Sequence, residues 1–593
     1  MFGHDVHPCF IAALWRRMVT DIFLIACRPI ASMRRCLLAI LLLPVLGRSQ
    51  NVSVKESATS IQLDNGMIAV SFNKKNADLN ALSLHGVNVL GKGGRAYLLA
   101  PDFNMNQSIC SIVSKTDSLV DISFLHVASN HFTYDLHYVL KSGDQGLYCY
   151  LLESHSAKDS VGNYGQTRWG IRADESVFDY HLVRDSIQGP MPKMAELTHE
   201  VQDWTFLMPD SSYYTKYNYA DYIEDRYVHG MAGSKGFGLF VINPSHEYLN
   251  GGPTKQYQNV HSTPFLINMF NCGHFLSDQR KGDNLIRDDW KKLNGPFFLY
   301  IAQGKTIPDL WNKAKGKAQI EQGKWPYTWM NHPEYPLTRG VAKGQLLLNG
   351  KPTLVNTRIV LAAPGYDWQA QSRGYIYDAK TKTDGSFQLN AIRPGTYTLY
   401  AFGSNQTKEF QQANIQIVAG KQDLGKLNWV PAKQGVTLWQ IGQADRKTTS
   451  FKLADHKRAY DLMFQPPAQL DYSIGKSKDA DWYYAQTKEG SWKIRFNNSK
   501  QWNDSACLSI AVAGCARNPQ LDVLVNGKTI KTLRMGNDAS VYRSAVAGGY
   551  YQLKELIFPS SYLVQGNNTI ELRMVQCKPG AGIMYDAIKL EAK

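Results

Sequence analysis

The sequence predicts an all-β, multidomain protein, and three observations favour this fold class. Short runs of alternating apolar and polar residues recur from Ser60 onward, separated by turns rich in Gly, Asn and Asp. The chain holds 32 Tyr, 23 Phe and 13 Trp, and aromatic residues favour strands. Of its 593 residues 44% are hydrophobic and 19% charged, which fills several cores and excludes global disorder. No heptad run, collagen period or polar low-complexity tract occurs, so fibrous classes are excluded as well.

Residues 1–49 predict an upstream extension followed by a secretory signal segment. A short basic start at Met33-Arg34-Arg35 precedes an apolar run of 11 residues, Cys36 to Leu46, and small residues with the spacing of a signal-peptidase site. We expect translation to start at Met33 rather than Met1, and the mature chain to begin at Gln50. The apolar run is too short to span a bilayer, and no later stretch predicts a membrane span. The protein is therefore expected to be secreted or periplasmic.

Charge favours an acidic partner. Lys and Arg number 65 against 50 Asp and Glu, giving a formal net charge of +15, or about +11 without residues 1–49. A basic secreted protein suits a polyanion, although the same charge also serves solubility alone. No nucleic-acid-binding module is recognisable, so nucleic acid is not an expected partner.

Cysteine usage excludes two kinds of site. Six of the nine cysteines follow residue 49, and none of them forms a C-x-x-C pair. A zinc ribbon and a redox motif are therefore not expected. Disulfides are permitted in an oxidising compartment, but their pairing cannot be read from the sequence.

Residues 50–325 are predicted to form the first domain. An Asx-Gly turn at Asp64-Asn65-Gly66 lies between alternating runs, which is a strong hairpin signal. One helix is predicted near the end of the domain. Its pattern consists of Thr306 as N-cap, Pro308 in the first turn, an apolar face of Leu310, Trp311, Ala314 and Ala318, and Gly323 after it.

Two further β domains are predicted after a proline-rich linker at 326–338. Residues 339–432 contain a strand, a Pro-Gly turn and a second strand, in a module whose size fits a small β-sandwich. Residues 433–593 carry a hairpin turn at Asn526-Gly527 and have a length that suits a jelly roll. The aromatic residues of this third domain are predicted to fill its core rather than to stack on sugars: Trp439, Trp482, Tyr483 and Trp492.

The common catalytic motifs are absent from the sequence. It holds no H-E-x-x-H, no P-loop, no G-x-S-x-G and no G-x-G-x-x-G after a strand. Residues 213–275 instead concentrate Lys, Arg, His and Tyr, with few carboxylates. This set suits binding of an acidic sugar and removal of a proton next to a carboxylate.

At these residues the chain resembles the rhamnogalacturonan lyases of polysaccharide lyase family 4. The matching segments are Gln166-Thr167-Arg168, Thr215-Lys216-Tyr217, Arg226-Tyr227-Val228-His229-Gly230, Pro244-Ser245, Gly251-Gly252-Pro253 and Gly273-His274, then Trp439-Gln440-Ile441-Gly442 with Asp445-Arg446, Asp481-Trp482-Tyr483-Tyr484-Ala485-Gln486 and Met584-Tyr585-Asp586-Ala587-Ile588-Lys589-Leu590-Glu591. The Gly-Gly-Pro segment alone is only moderately specific. The ordered series, which covers about Ser53 to the C terminus, is highly specific.

The resemblance implies a fold and a reaction. The fold is an N-terminal β-super-sandwich, a fibronectin type III-like domain and a jelly-roll domain similar to carbohydrate-binding modules. The reaction is β-elimination at the rhamnose–galacturonic acid bond of rhamnogalacturonan I, a pectin. It requires no cofactor, the sequence leaves a structural calcium open, and a monomer is the default.

The resemblance also implies site residues. The family's catalytic Lys falls on Lys216 and its catalytic His on His274, while the substrate-binding Arg falls on Arg168, with Arg172 as a close rival. His229 and Lys255 are further candidates for substrate binding. The sequence departs from fungal members at two positions, because Met269 and Ile267 stand where those members carry tyrosines.

The chemistry explains why these residue types are needed. Elimination removes the hydrogen on C5, next to the uronate carboxylate, so a cation on that carboxylate must stabilise the enolate-like intermediate. Arg168 supplies a permanent cation. Lys216 can act as base if burial and neighbouring cations lower its pKa. His274 can protonate the departing oxygen, or hold a water that does.

Each residue also has an ordinary interpretation. Taken singly, Lys216 would more often be a solvated lysine at a strand edge, and His274 a packed histidine. Arg168 could form a surface cation–π pair with Trp169. A non-catalytic pectin-binding protein on the same scaffold is the main rival function. A glycoside hydrolase or epimerase on a related super-sandwich is a third. The sequence leaves endo or exo action and tolerance of acetylated substrate open.

Overall fold

The computed structural model describes residues 51–100, 103–224, 227–271, 283–454, 456, 458–543 and 549–593. The chain divides into two units, Met1–Arg48 and Ser49–Lys593, and all described residues belong to the second. The predicted signal segment therefore lies outside the described residues. Within them, a search for helices long and apolar enough to cross a membrane finds none.

The first stretch of the second unit consists of strands followed by one α-helix. The elements are β1 (Ser53–Glu56), β2 (Ser60–Asp64), β3 (Ile68–Asn73), β4 (Leu79–Leu84), β5 (Val87–Asn88), β6 (Arg95–Ala100), β7 (Phe103–Asn104), β8 (Ile109–Lys115), β9 (Leu119–Val127), β10 (Thr133–Lys141), β11 (Gly146–His155), β12 (Gly162–Asn163), β13 (Thr167–Arg172), β14 (Tyr180–Arg184), β15 (Ile187–Pro190), β16 (Glu200–Gln202), β17 (Thr205–Leu207), β18 (Tyr213–Thr215), β19 (Ala220–Tyr222), β20 (Val228–Ala232), β21 (Phe237–Ile242), β22 (Gln256–Gln258), β23 (Phe265–Asn271), β24 (Leu285–Ile286), β25 (Trp290–Gln303) and α1 (Ile307–Gly323).

Two nine-stranded antiparallel sheets pack face to face in this stretch. One runs β1-β2-β3-β4-β6-β13-β23, with β5 and β7 beside it, and the other runs β15-β14-β20-β21-β25-β11-β10-β9-β8. Alternation along each strand sends every second side chain inward, so that in β3 residues 68, 70 and 72 are buried. The ring of Phe72 lies 4.6 Å from that of Tyr138 on the opposite sheet. The indole nitrogen of Trp169 donates to the hydroxyl of Tyr138 at 3.0 Å, which joins the two sheets.

The helix α1 covers the outer face of the second sheet. The hydroxyl of Thr306 accepts a hydrogen bond from the backbone N–H of Asp309, and Pro308 lies in the first turn, as predicted. Its buried side chains are Leu310, Trp311, Ala314, Ala318 and Glu321. Gly323, predicted to follow the helix, is instead its last residue.

Two smaller β-sandwiches follow. Their strands are β26 (Gly340–Leu348), β27 (Lys351–Pro352), β28 (Arg358–Ala362), β29 (Tyr377–Lys380), β30 (Ser386–Ile392), β31 (Gly395–Gly403), β32 (Gln406–Ile417) and β33 (Gly420–Trp429), then β34 (Val436–Gly442), β35 (Leu470–Ser473), β36 (Ala485–Gln486), β37 (Gly490–Asn498), β38 (Ser505–Ala516), β39 (Gln520–Val525), β40 (Lys528–Arg534), β41 (Gln552–Pro559), β42 (Gly566–Gln576) and β43 (Gly582–Ala592). The first eight form two four-stranded sheets and the last ten form two five-stranded sheets. The predicted all-β fold class is confirmed, while the domain boundaries stay predictions.

Aromatic side chains fill the core of the C-terminal sandwich. Trp482 and Trp492 are fully buried, and their rings meet edge to face at 5.0 Å. Trp439 is also buried, whereas Tyr483 is partly exposed beneath the ammonium group of Lys452 at 4.9 Å. The prediction of core tryptophans therefore agrees with the structure.

The cysteines of the described residues are free thiols. They are Cys110, Cys149, Cys507, Cys515 and Cys577. Burial raises the pKa of the Cys149 thiol well above its usual range, so this residue packs as a small apolar group.

A buried ion cluster joins the large sandwich to the middle one. Glu247 lies after β21, and its carboxylate contacts Arg339 at 2.7 Å and Arg393 at 3.0 Å. Burial raises the pKa of Glu247, but the two guanidinium groups outweigh this effect and leave the pKa below its ordinary value. The carboxylate is therefore charged, and the two sandwiches are held together at this point.

We expect Glu247→Gln to destabilise the fold by about 3–5 kcal/mol, because two buried guanidinium groups lose their counter-ion. Denaturant unfolding would measure this effect. Glu56→Gln is the matched control, since Glu56 pairs with Lys74 at the surface and its loss is expected to leave the unfolding midpoint nearly unchanged. Equal midpoints for the two variants would contradict a structural role for the cluster.

Candidate active site

A tight hairpin carries the carboxylate at the centre of the site. Asp203 and Trp204 connect β16 to β17 and have φ values of 40° and 56°. Two-residue hairpin turns require positive φ, which Asn-Gly adopts easily and a bulky Trp does not, so this turn stores roughly 1–3 kcal/mol of strain per residue. Such strain persists only where contacts on both sides hold the turn.

Lys216 provides the main contact that holds this turn. It directly follows β18, and its backbone N–H donates to the carbonyl of Trp204 at 3.1 Å. Its ammonium group donates to Asp203 Oδ1 at 2.7 Å, and the hydroxyl of Tyr217 donates to Oδ2 of the same carboxylate at 2.6 Å. Lys216 is only 5% exposed, so the predicted base is a buried lysine rather than a solvated one.

Charges around Lys216 act in both directions on its pKa. Burial lowers the pKa of Lys216, the hydrogen bond and charge of Asp203 raise it, and the positive charges of Arg543 and Arg168 lower it again. The net result lies below the ordinary lysine value. Burial raises the pKa of Asp203, but its bonds to Lys216 and Tyr217 bring it down to about 2, so this group is ionised.

Arg543 reaches the site from the C-terminal sandwich. Its Nε lies 3.7 Å from Asp203 Oδ2, and its guanidinium group lies 5.6 Å from the ring centre of Tyr217. Sequence reasoning missed this residue because it stands in no motif and only the packing of the sandwiches brings it near. Asp203 was missed because it also stands in no motif and only the positive-φ turn between β16 and β17 brings it to Lys216.

Arg168 lies on a strand beside Met269. In β13, Arg168 and Arg172 share one face, and Arg168 pairs across to Met269 of β23. Arg172 is engaged, because its Nε donates to the hydroxyl of Tyr97 at 3.2 Å and its guanidinium group covers Phe265 at 4.3 Å. Among the described residues, the side chain of Arg168 has no hydrogen-bond or ion-pair partner. This favours Arg168 over its rival as the group available to a ligand.

His261 is a further neighbour that sequence reasoning missed. It is buried, its ring meets Trp204 edge to face at 5.1 Å, and its Nδ1 contacts the hydroxyl of Ser262 at 2.9 Å. Burial, followed by the positive charges of Lys216 and the two arginines of β13, holds the pKa of His261 well below its usual range. The imidazole is therefore neutral at pH 7.

The two further candidates for substrate binding lie beneath the surface. His229 Nε2 contacts the carbonyl of Ile267 at 2.7 Å, and the ammonium group of Lys255 bonds to Asn250 Oδ1 and lies 4.8 Å from the ring centre of Tyr257. Both side chains are buried and contact the protein's own groups, so substrate binding by them stays a prediction.

The predicted catalytic His274 lies outside the described residues, in the gap 272–282. Met269 and Ile267 are buried and apolar, so they supply no hydroxyl group in place of the family tyrosines. In the described residues, no group of three or more His, Cys, Asp or Glu is arranged to hold a metal ion.

Comparison with known proteins decides the family. Residues 350–423 match domain II of polysaccharide lyase family 4 and residues 437–590 match its domain III. The chain is 30% identical to the rhamnogalacturonate lyase of Dickeya dadantii, over 95% of this chain and 98% of that protein. The chain belongs to polysaccharide lyase family 4. It is also similar to rhamnogalacturonate lyase B of Emericella nidulans, at 22% identity over 91% of this chain and 97% of that one.

A solved structure resembles part of this family 4 lyase. It is a family 35 carbohydrate binding module from Clostridium thermocellum, with a TM-score of 0.14 and 17% identity, covering 19% of this chain and 90% of that one. The family assignment makes the chain a polysaccharide lyase, and confirms the predicted resemblance together with its fibronectin type III-like and carbohydrate-binding-module-like domains.

We expect two substitutions to move the pKa of Lys216 in this family 4 lyase in opposite directions. Asp203→Asn removes the group that raises this pKa and should lower it by on the order of one unit, whereas Arg543→Ala removes a cation and should raise it. The pH dependence of Lys216 acetylation, followed by peptide mass spectrometry, measures both shifts. Lys235, which is exposed, serves as the internal control, and shifts of the same sign would contradict the charge arrangement.

Proposed function

We propose that this lyase cleaves the rhamnose–galacturonic acid bond of rhamnogalacturonan I by β-elimination and leaves a 4,5-unsaturated uronate. The observation that carries the proposal is the buried Lys216, whose pKa is lowered beside Arg168. The names of the two similar lyases from Dickeya dadantii and Emericella nidulans support the substrate class.

Arg168 is proposed to bind the carboxylate of the galacturonate. A guanidinium group can donate two parallel hydrogen bonds to a carboxylate, and it stays charged at every relevant pH. When the C5 hydrogen leaves, negative charge spreads onto that carboxylate, so the fixed cation stabilises the intermediate more than the ground state.

Lys216 is proposed to remove the C5 hydrogen as a neutral amine. Its nitrogen takes the proton, the electron pair of the C5–H bond forms the C4–C5 double bond, and the C4–O bond to rhamnose breaks. A lowered pKa increases the neutral fraction of the amine near neutral pH. The carboxylate of Asp203 orients the Lys216 nitrogen and, after proton transfer, forms an ion pair with the new ammonium group.

The departing rhamnose oxygen needs a proton, and we assign it to His274 or to a water that His274 holds. His261 is a poor rival for this task. Because its pKa is far below the usual range, it carries no acidic imidazolium proton at pH 7. Its neutral ring suits packing against Trp204 and support of the strained turn.

Three further parts of the proposal are the location of the lyase, its metal requirement and its oligomeric state. We place the lyase outside the cytoplasm, in the medium or the periplasm, because of the signal segment predicted in residues 1–49 and the polymeric substrate. The proposed steps use side chains alone, so we propose a reaction without a metal, carried out by a monomer.

We expect Lys216→Ala to reduce kcat on rhamnogalacturonan I by about 10²–10⁴-fold, because it removes the general base. The rise in ultraviolet absorbance from the unsaturated product measures turnover, and homogalacturonan serves as the negative substrate. Lys235→Ala controls for loss of a surface lysine. Undiminished turnover in Lys216→Ala, or an equal absorbance rise with homogalacturonan, would contradict the proposal.

Arg168→Ala is expected to reduce kcat/KM by about 10²–10³-fold, as does removal of a comparable charge-stabilising donor. Arg168→Lys keeps the charge but not the paired hydrogen bonds, so an intermediate loss is expected. Arg172→Ala is the matched control on the same face of β13. A larger loss for Arg172→Ala than for Arg168→Ala would transfer the carboxylate-binding role to Arg172.

A further inference from the structure

A cavity opens on the C-terminal sandwich, apart from the groups around Lys216. We call it the Phe464 cavity. Its volume is about 390 Å³, and its walls are the end of the short helical turn Tyr460–Phe464, the turn after β36 and the loop between β42 and β43. Phe464 is 49% exposed, although phenylalanine is mostly buried in folded proteins. A half-exposed ring at a cavity offers a flat apolar face to a ligand.

The charged side chains of this cavity favour an acidic ligand. Lys488 and Lys578 are exposed at its wall, together with one carboxylate, Glu489. The Glu489 carboxylate accepts a hydrogen bond from the backbone N–H of Cys577 at 3.2 Å, and the Lys488 ammonium group donates to the carbonyl of Phe464 at 2.8 Å. Two cations against one carboxylate leave a positive balance.

A row of aromatic rings connects the cavity to the candidate active site. The rings of Phe464 and Tyr460 lie 5.7 Å apart, and those of Tyr460 and Tyr213 lie 5.1 Å apart. Tyr213 is the first residue of β18, the strand that ends directly before Lys216. The row therefore crosses from the C-terminal sandwich to the strand that positions the proposed base.

A row of arginines follows the same route. Gly580 lines the cavity at a φ of 76° that favours glycine, and a Cβ atom at this position would lie 2.9 Å from both Arg517 Nη1 and the Cβ of Tyr542. Arg517 in turn lies 4.4 Å above the ring of Tyr542, and its Nη2 donates to Gln202 Oε1 at 3.2 Å. Gln202 directly precedes Asp203, and Arg543 directly follows Tyr542. The guanidinium groups of Arg517 and Arg543 therefore lie between the cavity and Asp203.

We propose that the Phe464 cavity is a remote subsite for a uronate-bearing oligosaccharide whose cleaved bond lies at Lys216. The ring of Phe464 packs against the apolar face of a sugar, and the ammonium groups of Lys488 and Lys578 pair with uronate carboxylates. Arg517 and Arg543 balance the negative charge of the oligosaccharide between the cavity and Lys216. This inference rests on the proposed function for the chemical identity of the oligosaccharide.

Binding to the Lys216→Ala protein, whose slow turnover leaves the ligand largely intact, tests the subsite. Titration calorimetry compares a long rhamnogalacturonan I oligosaccharide with a tetrasaccharide in this background. Adding Phe464→Ala or Lys578→Ala is expected to weaken binding of the long chain about fivefold to tenfold, as truncation of a well-placed contact does. A tetrasaccharide with its central bond at Lys216 extends only two sugars toward the cavity, so its affinity is expected to stay unchanged.

Matched controls come from the same sandwich. Ile557→Ala removes an exposed apolar side chain on β41, and Lys531→Ala removes an exposed lysine on β40. Neither lies at the cavity, so both are expected to leave binding of the long chain unchanged. Equal affinity of the long chain for Phe464→Ala, Lys578→Ala and the controls would overturn the subsite, as would equal weakening for long and short chains.

The same measurements separate the subsite from the proposed function. In the active protein, Phe464→Ala is expected to raise KM for the polymer with kcat unchanged. A protein that forms no unsaturated product, yet binds long chains in a Phe464-dependent manner, would refute the elimination and keep the subsite. A protein that binds neither long nor short chains would refute the subsite together with the substrate assignment.

Discussion

The ion pair between Lys216 and Asp203 is the contact on which the rest of the site depends. A lysine that is 5% exposed costs several kcal/mol to keep charged, and the carboxylate on a strained turn compensates for part of that cost. The arginines on either side then lower the pKa again. The pKa of Lys216 therefore lies below the ordinary lysine value, which raises the fraction of neutral amine that a general base requires.

Two of the sandwiches contribute charged groups to this balance. The large sandwich supplies Arg168 on a strand and Lys216 beside a small three-stranded sheet. The C-terminal sandwich supplies Arg543 against the same carboxylate, so its position contributes to the electrostatics of the site. The buried Glu247 cluster fastens the middle sandwich to the first.

Patterns within short stretches of sequence predicted the features that depend on short-range interactions. The helix with its Thr306 cap and the buried tryptophans around Trp482 follow from short-range periodicity and hydrophobic burial. Lys216 and Arg168 were found only through the family resemblance, because a lone Lys or Arg carries no spacing signal. Asp203, His261 and Arg543 could not be predicted, since a positive-φ turn and the packing of distant sandwiches bring them to the lysine. The fold class was therefore more accessible from sequence than the charge balance of the site.

Chemical rescue of Lys216→Ala tests the central claim that a neutral amine at this position removes the C5 proton. Small primary amines added to the variant occupy the space of the lost side chain. Turnover of rhamnogalacturonan I is expected to return in proportion to the unprotonated amine concentration and to increase with amine basicity at a fixed concentration of that form. The unsaturated product is expected to be identical to that of the unaltered chain. Wild-type turnover in Lys216→Ala without amine would contradict the claim, as would rescue that follows the protonated amine instead.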